Sequence, residues 1–354
     1  MAMASKEASL LFHLISIPSI SGHEGKACSY LASQLPSLGW DDTYIDEAGN
    51  VVASRGDGKN EIVLLGHIDT VEGGPEVKMD DDFIWGRGAV DAKGPLCAMA
   101  VAGGRAKLDP GFKLTLIAAV GEESSSKGTL YRIPLHSPKA CIVGEPSNTY
   151  GITIGYRGCL KATIKAQDNG AHRSADEGPL THVTLAAADI LNFIRQESEA
   201  LQQAVIFRPS GAIISMSGRE MGRRTAEIEM EIRIPVGSTP EQYTLLIEKC
   251  TRKHGVEFEI IFAIKPHLVD KDNPVVRALR KAVRNHYGTP QLFVKSGTAD
   301  FNHAAAWNCP LAAYGPGDSS LDHGMEEHVS VKDYLKSIDI LEAAVRSIMS
   351  YDLA

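Results

Sequence analysis

The sequence predicts an α/β protein in which helices sandwich a mixed, mostly parallel sheet, with a smaller α+β unit inserted into the chain. Three observations support this prediction. The first half of the chain alternates helical and strand patterns, several strand segments are continuously apolar, and the middle changes to alternating polar and apolar residues. Continuous apolar strands are typical of sheets covered on both faces, whereas alternation is typical of a sheet with one wet face.

The first half supplies the candidates for buried strands. Helices are predicted at 5–17, 24–35 and 94–108, and strands at 62–65, 114–120 and 140–143. The strand segments are short, uninterrupted apolar runs, and each is followed by a glycine that permits a sharp turn.

The middle of the chain has a different character. Residues 226–234 alternate polar and apolar side chains, which indicates a half-exposed strand. Further strands are predicted at 160–167, 212–216 and 256–262, and helices at 180–203 and 240–254. In chain order this gives β-α-β-β-α-β, the ferredoxin-like arrangement.

The α/β pattern then resumes, with a helix at 274–287, strands near 292–294 and 311–314, and a final helix at 331–350. We therefore predict a discontinuous first domain made of residues 1–155 and 268–354, and an inserted lid domain made of residues 156–267. The first domain carries the candidate site described below.

Composition limits the possible functions. The 354 residues carry a net charge of -8, so no nucleic-acid partner is expected. No apolar run approaches the roughly 20 residues of a membrane span, and the N-terminus lacks a signal-peptide pattern. The 6 cysteines are scattered without a Cys-x-x-Cys pair, which favours reduced thiols in a cytoplasmic protein.

Metal-binding side chains follow the predicted buried strands. His67 and Asp69 come directly after the first strand, Glu122 and Glu123 after the second, and Glu145 after the third. Open α/β sheets build their sites at the carboxyl ends of strands. A glycine-rich segment at 86–94 adds Asp91 just before a predicted helix.

Imidazole and carboxylate groups without sulfur are ligands for zinc, cobalt or manganese. Two such ions need an anionic bridge, which one aspartate can supply. Adjacent glutamates suit a division of roles, in which one ligates and its neighbour takes a proton from the attacking water. An aspartate two residues after the histidine can orient the imidazole. The glycine-rich segment is not a phosphate loop, because no Gly-Lys-Ser/Thr follows it.

Five segments carry a family resemblance: 66–71, 86–94, 121–123, 144–146 and 315–317. In them the chain resembles the M20 family of metallo-amidohydrolases and peptidases, which includes acetylornithine deacetylase, succinyl-diaminopimelate desuccinylase and carboxypeptidase G2. The resemblance implies a di-zinc aminopeptidase-like catalytic domain, a ferredoxin-like lid and two divalent metal ions, Zn²⁺ or Co²⁺. A non-catalytic binding protein with this fold would be expected to lack Glu122 or one of the metal ligands, and this sequence has all of these residues.

The resemblance also implies roles for individual residues. Glu122 corresponds to the general base, Asp69 to the partner of the ligating histidine, and Asp91 to the bridging ligand. The implied metal ligands are His67, Asp91, Glu123, Glu145 and one C-terminal histidine. Candidates for the last ligand are His303, His323 and His328, of which His323 best fits the family pattern of a histidine followed by acidic residues.

In the predicted lid, His172 matches the histidine that stabilises the oxyanion in relatives, often across a dimer interface. Arg233 matches a position that contacts a substrate carboxylate. Thr298, Asp300 and Asn302 lie where relatives line the substrate pocket. A homodimer formed through the lid is the family expectation.

Within the family, the chain resembles the LysW-lysine and LysW-ornithine hydrolases in the short segment 71–85 and in segments 87–95 and 154–158. This branch releases lysine or ornithine from the C-terminal glutamate of an acidic amino-group carrier protein, in lysine and arginine biosynthesis. The alternative function is an acetylornithine deacetylase or a related N-acyl-amino-acid deacylase or dipeptidase.

Arginines in the predicted lid suit an acidic partner. Arg219, Arg223 and Arg224 cluster in sequence, and Arg208 lies nearby. Such a patch on an acidic chain can steer a negatively charged carrier, although a solvated loop is the default interpretation of a charged cluster.

Overall fold

The computed structural model describes residues 5–172, 174, 176–219 and 221–351. These residues form two compact units. The first comprises 5–154, Val269–Phe293 and 303–351, and the second comprises Gly155–Leu268 and Val294–Asn302. The sequence-based division differs from these units chiefly in Val294–Asn302, which groups with the second unit rather than the first.

The described helices follow the predicted amphipathic patterns. Ser5, Asn273 and Ser330 cap three of them by accepting backbone N–H bonds at the first turn. None of the helices in these ranges is both long and apolar enough to cross a membrane. The helices are α1 (Lys6–Ile15), α2 (Gly25–Leu38), α3 (Lys93–Arg105), α4 (Lys127–Arg132), α5 (Gly178–Ala200), α6 (Pro240–His254), α7 (Pro274–Tyr287), α8 (Asp300–Ala304) and α9 (Val331–Met349).

The strands are β1 (Asp42–Ile45), β2 (Val51–Arg55), β3 (Asn60–His67), β4 (Lys78–Met79), β5 (Phe83–Trp85), β6 (Phe112–Ala119), β7 (Ala140–Gly144), β8 (Gly151–Tyr156), β9 (Gly158–Asp168), β10 (Ser210–Arg219), β11 (Arg224–Ile234), β12 (Glu257–Ile264), β13 (His267–Leu268), β14 (Gln291–Lys295), β15 (Leu311–Ala313) and β16 (His328–Ser330). Among those that the sequence did not predict are β8, which contains two glycines, and the short strands of a small sheet ordered β16-β5-β4.

The main sheet of the first unit has the order β1-β2-β6-β3-β7-β15-β8. Strands β6, β3, β7 and β15 run parallel, and the flanking pairs are antiparallel. Helix α3 packs on β3, α2 on β2 and α7 on β15. The predicted mixed sheet between helices is therefore confirmed, with its parallel ladders at the centre.

The second unit contains a four-stranded antiparallel sheet ordered β12-β9-β11-β10. Its chain order is β9-α5-β10-β11-α6-β12, which gives the ferredoxin-like topology expected from the sequence. Apolar residues of β11 alternate with exposed ones and face a core shared with α5 and α6. Strand β10 forms one edge of this sheet.

Candidate active site

The parallel strands of the first unit bring their carboxyl ends to one edge. Gly66 of β3 pairs with Ala118 of β6 and with Gly144 of β7. His67 ends β3, and Glu145 comes directly after β7, so each lies one position beyond a paired glycine. The turn that contains Glu122 and Glu123 follows β6. The predicted site residues of these three strands therefore share one edge of the sheet.

His67 is a buried imidazole with 1% of its surface exposed. Its Nδ1 lies 3.1 Å from the carbonyl oxygen of Asp69 and 3.5 Å from the carboxylate Oδ1 of the same residue. Its Nε2 lies 3.2 Å from Oδ1 of Asp91. Burial lowers the pKa of His67, but the hydrogen bonds to Asp69 and Asp91 raise it well above the ordinary value.

Asp69 is fully buried and organises the turn after β6. Its Oδ1 accepts the backbone N–H of Glu122 at 3.0 Å, and its Oδ2 accepts the N–H of Glu123 at 3.1 Å. The Ser21 hydroxyl donates to Oδ2 at 2.6 Å. Asp69 thus contacts the imidazole of His67 through its carbonyl oxygen and its carboxylate, and the carboxylate also fixes the backbone of both candidate glutamates.

His323 approaches the same cluster from the C-terminal part of the chain. Its Nε2 lies 2.9 Å from Oε1 of Glu123 and 3.2 Å from Oδ2 of Asp91. The hydrogen bond to Asp91 raises the pKa of His323 to about 9, together with the charge of Glu123 and against the effect of burial. The ring is 47% exposed, in contrast to that of His67.

The other two histidine candidates have different surroundings. His328 begins β16 and packs its ring against Phe83 and Trp85, with ring centroids 5.1 and 6.0 Å away. His303 lies in α8, where burial lowers its pKa. Of the three, His323 is the histidine that the described residues bring to Asp91 and Glu123.

The geometry and donor set fit a metal ion. Ligand atoms of His67, Asp91 and Glu123 all lie within 4.8 Å of one another. Burial raises the pKa of Glu123, and the neighbouring negative charge of Asp91 raises it further because the two carboxylates repel each other. A divalent cation would relieve this repulsion, and imidazole with carboxylate oxygen suits zinc or cobalt.

Glu145 is buried at the end of β7, and the Gly315-Pro316-Gly317 turn packs against its backbone. A Cβ at Gly315 would stand 2.8 Å from the carbonyl oxygen of Glu145 and 2.7 Å from Pro95, so only glycine fits there. The predicted Gly-Pro-Gly motif thus supports the segment that carries Glu145.

Glu327 was not singled out from the sequence, yet it organises the loop of Asp91. Its fully buried Oε1 accepts backbone N–H groups of Gly88, Val90 and Asp91 at 2.9, 3.0 and 3.1 Å. Its Oε2 accepts Nη1 of Arg87 at 2.6 Å. Three buried backbone N–H groups that converge in a glycine-rich loop need a hydrogen-bond acceptor. That need is the one feature of the sequence that points to a residue such as Glu327.

Arg87 extends this network to the last candidate ligand. Its Nη2 donates to the carbonyl oxygen of His323 at 3.0 Å, while its Nη1 binds Glu327. The loop that carries Asp91 and the segment that carries His323 are therefore joined by one arginine and one glutamate.

Lys93 is a second residue that sequence reasoning missed. It is 1% exposed, and its Nζ donates to the carbonyl oxygens of Leu14 at 3.2 Å and Ile17 at 2.8 Å. Burial lowers the pKa of Lys93 to about 8. The lysine ties the carboxyl end of α1 to the start of α3, two residues after Asp91.

The remaining predicted residues belong to the second unit. His172 lies in an exposed loop, with Nδ1 2.7 Å from the Ser174 hydroxyl. Arg233 lies on β11 and pairs with Glu231 at 2.6 Å. Thr298 is half-buried and Asp300 is buried.

Asn302 has an amide that is already engaged. Its Nδ2 donates to the carbonyl oxygens of Arg157 at 3.2 Å and Lys265 at 2.8 Å, and its Oδ1 accepts the N–H of Ala299 at 3.1 Å. These bonds connect three backbone segments of the second unit. Asn302 therefore holds residues 299–302 against the segments that contain Arg157 and Lys265.

The predicted arginine cluster of residues 219, 223 and 224 is wrong for Arg224. Arg224 is 2% exposed and binds both Asp168 and Asp176, so its charge is already neutralised. Arg208, which is near this cluster in sequence, precedes β10, whereas Arg219 ends it, which separates the two by roughly 35 Å along an extended strand. Arg223 remains exposed and donates to Gln167 at 2.9 Å.

Histidine and carboxylate ligands at the carboxyl edge of a parallel sheet are typical of metal-dependent hydrolases, and the fold and the cluster assign the chain to this class. More specifically, the chain belongs to peptidase family M20/M25/M40, whose family model matches residues 63–347. It is a metal-dependent amidohydrolase of that family.

Related proteins are similar over almost the whole chain. The chain is 35% identical to a [LysW]-lysine hydrolase of Deinococcus radiodurans, with 97% of each protein covered. It is 31% identical to a putative [LysW]-lysine/[LysW]-ornithine hydrolase of Pyrococcus furiosus, with 99% of this chain and 100% of that protein covered.

Solved structures support the fold. An M20 family metallo-carboxypeptidase from Sulfolobus solfataricus superposes with a TM-score of 0.81 at 17% identity, covering 98% of this chain and 100% of that one. A di-peptidase from Saccharomyces cerevisiae gives a TM-score of 0.75 at 15% identity, covering 98% of this chain and 96% of that one.

Proposed function

We propose that this enzyme hydrolyses the amide bond that joins lysine or ornithine to the γ-carboxyl of the C-terminal glutamate of an acidic carrier protein. The names of its relatives support this substrate. The convergence of His67, Asp91, Glu123 and His323 on one partly buried cluster is the observation that carries the hydrolytic chemistry.

Two divalent ions, Zn²⁺ or Co²⁺, would occupy this cluster. Asp91 places its Oδ1 near His67 and its Oδ2 near His323, so this carboxylate would be the ligand shared by the two ions. Glu123 contacts His323 and would complete the ligands of one ion. Glu145, at the next strand end, would complete those of the other.

Bound at this cluster, two divalent ions would supply the Lewis acidity that makes a water molecule more acidic and polarises the amide carbonyl. Glu122 would take one proton from the water as the water oxygen bonds to the amide carbon, and it would return that proton to the leaving amine as the C–N bond breaks. Asp69 holds the Glu122 backbone and orients His67, so this base is fixed relative to the ligands. His172 would donate a hydrogen bond to the oxyanion.

Substrate recognition is assigned to the second unit. Arg233 would bind the carboxylate of the released amino acid, because a guanidinium fork matches carboxylate geometry. Thr298 and Asp300 would line the pocket for the amino-acid side chain, and Asn302 would position that segment through its backbone contacts.

We infer a homodimer formed through the second unit. Strand β10 is an edge strand with exposed Ile214 and Met216, and the neighbouring α5 exposes Leu185 and Phe193. An apolar edge strand of this kind favours pairing with another copy. Light scattering is expected to give a dimer mass, and Ile214→Lys should reduce it to a monomer mass.

A cytoplasmic location is part of the proposal. The six cysteines all lie in the described part of the chain and form no disulfide there, and all but Cys309 are buried, which suits a reducing compartment.

Release of the amino acid tests the function directly. Short acidic peptides whose C-terminal glutamate carries γ-linked lysine or ornithine are compared with N-acetylornithine, with zinc or cobalt added and mass spectrometry as the readout. Metal-dependent release from the γ-glutamyl peptides is expected. A preference for N-acetylornithine would replace the carrier-linked function with that of a deacetylase.

A further inference from the structure

Three arginines gather at one end of the sheet in the second unit. Ser210 of β10 pairs with Arg233 of β11, and Arg233 pairs with Cys159 of β9. Arg157, just before β9, donates from Nη1 to the Ser210 hydroxyl at 3.0 Å and to the carbonyl oxygen of Arg208 at 3.1 Å. Arg157, Arg208 and Arg233 therefore occupy the same end of this sheet.

The hydrogen bonds that hold Arg157 in place go to neutral oxygen atoms and not to a carboxylate, among the described residues. It is 7% exposed, and its Nε donates to the carbonyl oxygen of Ser296 at 2.9 Å. Its side-chain partners among the described residues are thus two carbonyls and one hydroxyl, all neutral. Buried cations in proteins are ordinarily paired with an anion, so this guanidinium has unused capacity for one.

Positive charge accumulates around Arg157. Burial and the positive charges of Arg233 and Arg208 lower the pKa of Arg157. Nε of Arg208 is buried and makes no hydrogen bond within the described part of the chain. The ion pair of Arg233 with Glu231 supplies one negative charge to three guanidinium groups.

The other end of the same hairpin shows that this excess is particular to one place. There, Arg224 is held between two aspartates, Asp168 and Asp176. At that end, two aspartates neutralise the positive charge of the buried Arg224. At the Arg157 end, three guanidinium groups share the one negative charge of Glu231, which leaves a net excess of two positive charges. Guanidinium forks bind carboxylate and phosphate groups through paired hydrogen bonds. The substrate of the proposed function supplies carboxylates, so a carboxylate is the anion expected here.

We propose that Arg157, Arg208 and Arg233 form one anion site that binds two substrate carboxylates, with Arg157 and Arg208 selecting the carboxylate of the acyl side. This inference rests on the proposed function. In a γ-glutamyl-lysine terminus, one carboxylate belongs to the lysine and the other is the free α-carboxylate of the glutamyl group. An N-acetyl amino acid has only the first, so the additional arginines distinguish the two substrate classes.

The test compares two peptides that differ in one charge. Both end in γ-glutamyl-lysine, and the second carries an α-carboxamide in place of the glutamyl α-carboxylate. For the unmodified enzyme we expect kcat/KM to fall by about 10–100-fold on amidation, the value of one charged hydrogen bond. In Arg208→Gln and Arg157→Gln the ratio of the two kcat/KM values should approach one, mainly through KM.

Arg223→Gln is the matched control, because this exposed arginine lies at the opposite end of the hairpin. It should retain the full discrimination. The two kcat/KM values in each ratio are measured with the same variant. A smaller folded fraction of Arg157→Gln lowers both values equally, so it does not change their ratio. Circular dichroism checks that Arg208→Gln is folded.

Equal discrimination in the unmodified enzyme and in both arginine variants would overturn the anion site, as would equal cleavage of the two peptides by the unmodified enzyme. Cleavage of N-acetylornithine with neither γ-glutamyl peptide cleaved would instead reject the proposed function.

In that case the anion site is tested by binding of glutarate, a dicarboxylate. Glutarate should raise the melting temperature of the unmodified enzyme and of Arg223→Gln more than that of Arg208→Gln. An equal rise in all three would reject the site itself.

Discussion

Two buried carboxylates of the first unit, Asp69 and Glu327, perform the same structural task. Both are fully buried, and both accept backbone N–H groups from a turn that carries candidate metal ligands. Asp69 collects the amides of Glu122 and Glu123, whereas Glu327 collects three amides of the loop that contains Asp91. The site is thus assembled by two separate carboxylates.

Their electrostatic outcomes differ. Burial raises the pKa of Asp69, but hydrogen bonds from His67 and Ser21 hold it below its usual value. For Glu327, burial and the charge of Asp91 keep the pKa above its usual value, despite the amide hydrogen bonds and Arg87. Asp69 therefore acts on an imidazole as well as a turn, and Glu327 acts mainly as a clamp between two chain segments.

The largest effect is expected on the turn that Asp69 holds. Glu122→Gln keeps the size of the side chain and removes its basicity, so kcat should fall by about 10²–10⁴-fold while metal affinity is retained. Steady-state kinetics with parallel metal analysis measures both quantities. The exposed Glu72→Gln serves as control, and near-normal turnover of metal-loaded Glu122→Gln would reject its role as base.

Asp69→Asn should have the next largest effect. The amide group cannot accept both backbone N–H groups and also orient His67, so metal affinity should fall by about 10–100-fold. Titration with Co²⁺, followed by its visible absorption, measures the affinity. Unchanged Co²⁺ binding would show that Asp69 does not position the ligands.

Glu327→Gln should weaken metal binding less than Asp69→Asn, because it loosens the connection between loops and leaves His67 in place. We expect a decrease of about 10-fold. Hydrogen exchange of the amides at 88, 90 and 91 in metal-free protein should accelerate, which is a readout independent of activity. The exposed neighbour Glu326→Gln is the control, and unchanged exchange would contradict the clamp.

The smallest effect on the enzyme is expected from a change at Glu61, which is remote from the metal-ligand cluster. Its carboxylate accepts a hydrogen bond from the Thr115 hydroxyl at 2.6 Å and lies 3.0 Å from Nδ1 of His136. Although burial raises its pKa, these contacts hold it below the ordinary value of 4.5. Its contribution to stability is therefore fully present above pH 4.5 and is lost as the pH falls through the folded pKa. Thermal unfolding should show a smaller acid-induced loss in Glu61→Gln, with metal affinity unchanged.

The difference between Asp69 and Glu327 also explains what the sequence could predict. His67, Asp69 and the adjacent glutamates stand next to continuous apolar strands, so a local pattern locates them at the edge of a sheet. Glu327 acts on a loop 236–240 residues earlier in the chain, and no local pattern reports that contact. The glycine-rich loop indicates a need for an acceptor without identifying it.

The second unit gives the same lesson for charges. Alternation at 226–234 was sufficient to predict its sheet, because a half-exposed strand has a period of two. Proximity in sequence was a poor guide to the arginine patch, since Arg223 is exposed while its neighbour Arg224 faces inward to two aspartates. Arg208 joins Arg157 and Arg233 through strand pairing, a contact that depends on register.

The second unit takes its residues from two stretches of chain, Gly155–Leu268 and Val294–Asn302. The shorter stretch contributes the Ser296 carbonyl that holds the Arg157 guanidinium, and the Asn302 amide that holds the Arg157 backbone. A chimaera that exchanges only the longer stretch between relatives would combine arginines of one parent with the supporting loop of the other. Under the proposed function, an exchange that transfers substrate preference must therefore carry both stretches, and an exchange limited to Gly155–Leu268 would leave the supporting loop of the other parent in place.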